Sequence, residues 1–435
     1  MKRWISAACA AVVAVGLTAC SDPGADAPTT AAVSWADPGA RLDGVKLTIW
    51  AAQNSHTLPA KVVAAFEQAT GASVDVVTIP DPYEQSVQTK VATGDKPDLA
   101  FWQPTASMLT AINARNYLQP LTDAPWLPKL APELRDITGQ LDGTRYAALI
   151  TSPAVEGVYY NKEVFAANGI TAPPKNFDDM LTTARALKAK GVTPFFEMGG
   201  DRWATQWWVG VQLADAARDG LWDKINTKRE TFESPAVLDS IKKYKALIDE
   251  GLFNTDIKTA KFEDQGAALL DGKAAMAVQV TSFFGQLQAK ADTATLDRKI
   301  GFFPISPSGH VGTFIPDQTN ALVAFRTGDA KREAAARQLL SYWMGPGYQG
   351  FIADRNTVSL QPTVANPAGV PKAMLDVHAS LPTAVGSMQD LAVANPDLYI
   401  NLADMIAGTM SPEQVAKATQ DQFAQLAKAA GTPGF

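Results

Sequence analysis

Glu197 and Asp201 lie four residues apart in Glu197-Met-Gly-Gly-Asp201-Arg202-Trp203, and Trp207-Trp208 follow after Ala204-Thr205-Gln206. Two carboxylates beside tryptophans suit two kinds of chemistry. They can flank a glycosidic bond, one as acid and the other as base or nucleophile. They can also hold a sugar without breaking it, carboxylates and amides taking the hydroxyls while flat rings cover the apolar C–H faces. The glycines place this stretch on a loop at a strand end. Trp203, Glu197, Asp201 and Arg202 are candidate contacts there, while Trp207 stands at helical spacing from Val211 and is expected in a core. Other strand ends carry similar side chains: Gln53-Asn54-Ser55-His56, then Asp81 and Tyr83, then Trp102 and Gln103. His56 can donate to a hydroxyl or titrate near neutral pH.

Other machinery is missing from the sequence. There is no G-x-S-x-G elbow, no H-E-x-x-H and no P-loop. Gly345-Pro-Gly-Tyr-Gln-Gly350 fits G-x-G-x-x-G in letters only, since it follows a helix and contains a proline. The only cysteines are Cys9 and Cys20, so the body has no disulfide, thiolate metal site or cysteine nucleophile. His56, His310 and His378 are scattered, and no metal or cofactor is expected.

The 435 residues carry 38 Lys+Arg against 44 Asp+Glu, a formal charge of -6, with 46% hydrophobic residues. That balance is globular and gives no basic face for nucleic acid. Lys2 and Arg3 precede an apolar run from Ile5 to Leu17, the pattern of a secretory signal over 1–19. Leu17-Thr18-Ala19-Cys20 resembles the bacterial lipobox, which would make Cys20 a lipidated first residue. The Ala-, Pro- and Thr-rich stretch that follows, within 20–44, reads as a flexible tether. The expectation is an exported chain held to the outer face of a membrane by acyl chains.

The elements that must position the candidate residues alternate. Leu47–Trp50, Val74–Ile79 and Leu99–Trp102 read as strands, separated by helices near Pro59 and from Tyr83 to Val91. Further strands are expected at Tyr146–Ile150, Val155–Tyr160, Ala275–Val280, Ile300–Phe303 and Asn320–Phe325. Asn176 caps one helix, and Ser411-Pro412-Glu413-Gln414 opens the last with a capping box. This many elements points to two α/β lobes with a cleft between them.

From about Leu47 to Ala430 the chain resembles the extracellular solute-binding proteins of ABC importers, of the sugar-binding type related to maltose-binding protein. The signs are spread out: Phe66-Glu67-Gln68-Ala69-Thr70-Gly71, Lys96-Pro97-Asp98-Leu99, Tyr117-Leu118-Gln119-Pro120-Leu121, and Asp142-Gly143-Thr144-Arg145-Tyr146 leading to Val158-Tyr159-Tyr160-Asn161-Lys162. Gly191-Val192-Thr193-Pro194-Phe195, Gly272-Lys273-Ala274-Ala275-Met276 and Ser411-Pro412-Glu413-Gln414 complete them.

The resemblance implies a two-lobed, type II periplasmic-binding-protein-like α/β fold, each lobe a mainly parallel sheet flanked by helices. Lobe one would be 45–152 plus 317–360 and lobe two 153–316 plus 361–435, with crossings near Thr151-Ser152-Pro153 and Ile315-Pro316-Asp317. It implies that the Gln53–His56 loop lines the cleft, that Gln279, Ser282 and Phe283 end a cleft-side strand, and that Phe314, Asp317 and Gln318 occupy the hinge. The function implied is a monomeric, non-enzymatic subunit that captures a mono- or oligosaccharide by hinge closure and delivers it to an ABC permease in the membrane. Two alternatives keep company with it. The same fold could hold a glycerophosphodiester or a polyamine, with Arg202 as the phosphate partner, or the Glu197–Asp201 pair could serve a secreted glycoside hydrolase.

Overall fold

Leu47-Thr-Ile-Trp50 lies within strand β1 (Lys46–Ala52) of the computed structural model, which describes residues 35–52, 60–80 and 82–435. Both faces of β1 are covered. Leu47, Ile49 and Ala51 join one apolar cluster with Phe66 and Trp343, whereas Trp50 and Ala52 join another with Tyr83 and Trp102. A strand buried on both faces shows a continuous apolar run, which is what the sequence has there.

β2 (Ser73–Ile79) and β3 (Leu99–Phe101) flank β1 in parallel. The helices Ala60–Thr70 and Tyr83–Ala92 make the crossovers that parallel strands need. Gly71 follows the first of them at φ +79°, a conformation glycine adopts without a Cβ penalty. A small hairpin of β4 (Gln140–Leu141) and β5 (Thr144–Arg145) leads into β6 (Ala147–Leu149). Then come β7 (Ala154–Asn161), β8 (Met276–Gln279), β9 (Ile300–Phe303), β10 (Thr313–Ile315), β11 (Ala321–Ala324) and β12 (Val385–Gly386).

Two five-stranded sheets result. The first has the order β2-β1-β3-β11-β6. In the second, β12, β10, β7 and β8 are successive neighbours and β9 also pairs with β7. The chain therefore crosses between sheets from β6 to β7, returns from β10 to β11, and crosses again before β12.

Mainly parallel pairing holds for β1 with β2 and β3, and the structure corrects it elsewhere. β11 runs antiparallel to both β3 and β6. β7 runs antiparallel to β8, β9 and β10, and β10 with β12 is the parallel pair of that sheet. An apolar run gives a strand's burial but not its direction, and an antiparallel return needs no crossover of fixed hand. β10 and β12 were not anticipated, being three and two residues long with no pattern of their own.

The helix caps follow the sequence. Asn176 Oδ1 accepts from Asp179 N at 2.9 Å at the head of Phe177–Ala189. Ser411 N donates to Gln414 Oε1 at 2.7 Å, and Gln414 N donates back to Ser411 Oγ at 3.3 Å, opening Pro412–Ala429. Among the described residues no helix is long and apolar enough to cross a membrane.

Candidate functional site

Two of the crossings run side by side. Ile150 N donates to Asn320 O at 2.7 Å, and Asn320 Nδ2 reaches back to Thr151 Oγ1 at 3.0 Å and Ser152 O at 2.9 Å. Thr151 Oγ1 donates to Thr319 O at 3.3 Å. Beside this double crossing lies a groove of about 980 Å³, counting its open mouth. Six hydroxyl side chains line it, those of Thr151, Ser152, Thr281, Ser282, Thr319 and Thr357, with Asp317, Asn320, Gln288 and Arg355. Phe284 and Met374 supply apolar wall. Such a surface of hydroxyls, amides and one carboxylate can exchange hydrogen bonds with a polyhydroxylated solute.

Ser282 and Asp317, both named from the sequence, meet in this groove. Asp317 Oδ1 accepts from Thr319 N at 2.6 Å and from Thr319 Oγ1 at 2.5 Å, and burial raises its carboxyl pKa against those bonds. Gln103 Nε2 donates to Pro316 O at 3.0 Å, tying the end of β3 to the returning crossing. Gln318 stands next to Asp317, half-buried.

The other candidates are placed differently. Tyr83 is buried under the first sheet, its hydroxyl donating to Phe101 O at 2.6 Å and Trp50 O at 3.2 Å. Trp102 is fully buried, its indole N–H donating to Met108 O at 3.0 Å. Phe283 is in the core against Tyr159, and Phe314 is buried in β10. Gln279 is enclosed, with Nε2 on Gln265 Oε1 at 3.0 Å and Oε1 accepting from Val280 N. Glu197 is enclosed too: Met198 N donates to Oε1 at 2.7 Å and the Tyr244 hydroxyl to Oε2 at 3.0 Å. Burial pushes the Glu197 carboxyl up to about 7, with the Met198 and Tyr244 bonds opposing it. These side chains face the packed interior rather than the groove. Gln53, Asn54, Ser55, His56, Asp81 and Cys20 lie outside the described residues.

Asp201, Arg202 and Trp203 form a half-exposed turn. Asp201 Oδ2 accepts from Phe262 N at 2.6 Å, which fixes the start of the helix Phe262–Leu270. Arg202 sits at φ +64°, a strained conformation for a side chain with a Cβ, and its guanidinium lies 3.6 Å from Asp404. Trp203 meets Phe262 edge-on at 4.9 Å, and Phe262 lies 6.2 Å from Phe283. A row of rings thus joins the Trp203 turn to the residue beside Ser282. Trp207 is buried, as its spacing from Val211 implied.

Sequence reading missed Thr151, Ser152 and Asn320 as site residues, although it named the crossings. It also missed His378, whose Nδ1 lies 3.3 Å from Ser152 Oγ and whose pKa is lowered by burial, with Glu133 opposing. Thr281, Gln288 and Thr357 come from separate stretches, and no local pattern marks them. Among the described residues no cluster of His, Cys, Asp or Glu could hold a metal ion.

The family model described as bacterial extracellular solute-binding protein matches residues 51–350. A Brucella abortus relative, named only as a binding protein, is 28% identical over 202 residues. That stretch is 45% of this chain and 46% of the relative, so the chain spans about half the length of the curated relatives it matches. The multiple sugar-binding protein of Streptococcus mutans is 24% identical over 224 residues, 50% of this chain and 52% of that one. Among solved structures, a chitin oligosaccharide binding protein superposes with a TM-score of 0.72 at 23% identity, covering 88% of this chain and 98% of that one. The solute-binding protein RafE, solved in complex with raffinose, gives 0.70 at 19%, covering 88% and 99%. At these identities the structural likeness carries the fold.

Proposed function

The chain belongs to the bacterial extracellular solute-binding proteins and has their type II periplasmic-binding fold, and on that premise we propose that it captures a mono- or oligosaccharide and hands it to an ABC permease. In this reading the two sheets are the cores of two lobes, 45–152 with 317–360 and 153–316 with 361–435. The lobes pinch the solute between them, and the closed form is favoured because it binds the solute more tightly. Cys20 carries the acyl chains that hold the protein near the permease. No bond in the solute is made or broken.

The observation that carries the reading is the hydroxyl- and amide-lined groove beside the double crossing, where Asn320 joins Thr151 and Ser152. A saccharide matches it because every hydroxyl both donates and accepts. Apart from the groove, the half-exposed Trp203 at the end of the row Trp203–Phe262–Phe283 offers a flat apolar ring for a sugar face. Against hydrolysis stands Glu197, whose two carboxyl oxygens are held by Met198 N and Tyr244.

A thermal-shift screen tests the proposal. Raffinose, stachyose and a chitin oligosaccharide should raise the melting temperature by mass action, with no product after prolonged incubation. Stabilisation by glycerophosphocholine or a polyamine and by no sugar would replace the saccharide with that class, and released monosaccharide would make the protein a hydrolase.

A further inference from the structure

Near the Trp203 turn lies a second, narrow cavity that the groove does not include, with about 20 Å³ of room for the centre of a water-sized group. Its floor is Glu156 of β7, 2% exposed. Thr313 of β10 stands opposite Glu156 in the strand register. Trp207 and Trp222 are among its walls, with apolar Leu213 and Leu398. At one side is Gln206, whose Nε2 donates to Trp203 O at 3.0 Å, so the cavity adjoins the candidate turn.

Four of these side chains bring buried polar atoms without a hydrogen-bond partner, Glu156 Oε2, Thr313 Oγ1, Trp207 Nε1 and Trp222 Nε1, and the Thr313 hydroxyl is the group in register with the acid. An unpaired buried polar atom is costly, and their meeting in one cavity calls for an explanation. The helix Trp207–Arg218 presses on the same carboxyl. A Cβ at Gly210 would fall 2.1 Å from Glu156 Oε2, so this helix meets the acid with bare backbone. Burial raises the Glu156 carboxyl well above its usual range, with Thr313 opposing, and no charged neighbour contributes.

The set selects its guest. Indole N–H groups only donate, whereas a buried carboxyl kept neutral and the Thr313 hydroxyl each donate and accept. A cation would leave the indoles unpaired, and an anion would give up its water with no Lys or Arg among the lining residues. A hydroxyl accepts from the N–H groups and donates to the carboxyl, and the apolar walls suit the carbon that bears it. We propose that this cavity is a subsite for one hydroxymethyl end of the captured solute, with Glu156, Trp207 and Trp222 as its partners. The assignment rests on the saccharide reading and adds which group of the sugar is enclosed.

Calorimetric titration of the full chain with raffinose, stachyose and a chitin oligosaccharide tests it, using wild type, Glu156→Leu, Glu156→Gln and Trp222→Phe. For the sugar that wild type binds, Glu156→Leu should weaken affinity at least tenfold, and the other two by a few-fold each. The Leu variant should melt no lower than wild type, because an apolar side chain replaces a buried acid. If that variant fails to fold, Glu156→Gln and Trp222→Phe decide by the same readout. Folded variants with wild-type affinity, or a crystal of the complex with only water against Glu156, would overturn the subsite and leave saccharide capture standing. A wild type that binds none of the three sugars would overturn both.

Discussion

Asn320 and Thr151 are 169 positions apart in the chain and joined by a 3.0 Å hydrogen bond from the amide of one to the hydroxyl of the other. The same amide donates to Ser152 O, and its Oδ1 accepts from Asp317 N at 2.7 Å. One buried side chain therefore ties the outgoing crossing to the returning one. Asn320→Ala should lower stability by about 2–3 kcal/mol, since it strands several buried groups at once. Denaturant titration measures this, and an unchanged midpoint would mean that the backbone bonds alone hold the crossing.

Beside Glu156 and Asp317, two further buried acids shape the pH response near neutrality. Burial pushes Glu197 and Asp390 each up to about 7, with Thr138 opposing at Asp390. Their folded values lie above the ordinary carboxylate range of the unfolded chain. The stability they contribute is therefore complete below about pH 4 and is lost as pH rises through 7. The melting temperature should fall by a few degrees between pH 5 and pH 8 from these two groups. Glu197→Gln should flatten that slope; a slope equal to wild type would show that Glu197 does not titrate in this range.

Trp203 offers the exposed end of the row Trp203–Phe262–Phe283. Trp203→Ala should weaken saccharide binding by about tenfold, roughly 1.4 kcal/mol. Because the ring is only half-buried, circular dichroism should remain that of wild type. Undiminished affinity in titration would move the stacking surface elsewhere.

Asp98 is fully buried and accepts from Thr48 N and from Arg332 Nη2, each at 2.8 Å. It thereby fastens β1 and the entry to β3 to the helix Ala330–Trp343. Asp98→Ala should cost about 3 kcal/mol by leaving its partners unpaired. Arg332→Ala should cost less, because Arg332 is partly exposed. Equal losses in urea melts would contradict this ordering.

Local signals were read well where they are local. Asn176 and Ser411 cap the helices their sequence marks, and Ile300–Phe303 is a strand with those ends. Direction and enclosure were not legible. Val155–Tyr160 looks the same whether its neighbours run with it or against it, and β7 is antiparallel to three of them. Glu197 and Gln279 sit at strand ends in sequence, yet tertiary packing supplies Tyr244 and Gln265 as partners from distant helices. Asn320 was legible only as the start of a strand, because its role depends on a crossing 169 residues earlier.

The seat of β11 between β3 and β6 also orders events in time. Residues 46–149 emerge with two unpaired strand edges that stay bare until position 321 has been made. At about 5–20 residues per second, that wait is on the order of ten seconds or more. A chain stopped short of position 321 therefore cannot complete this sheet, however well its first hundred residues are made.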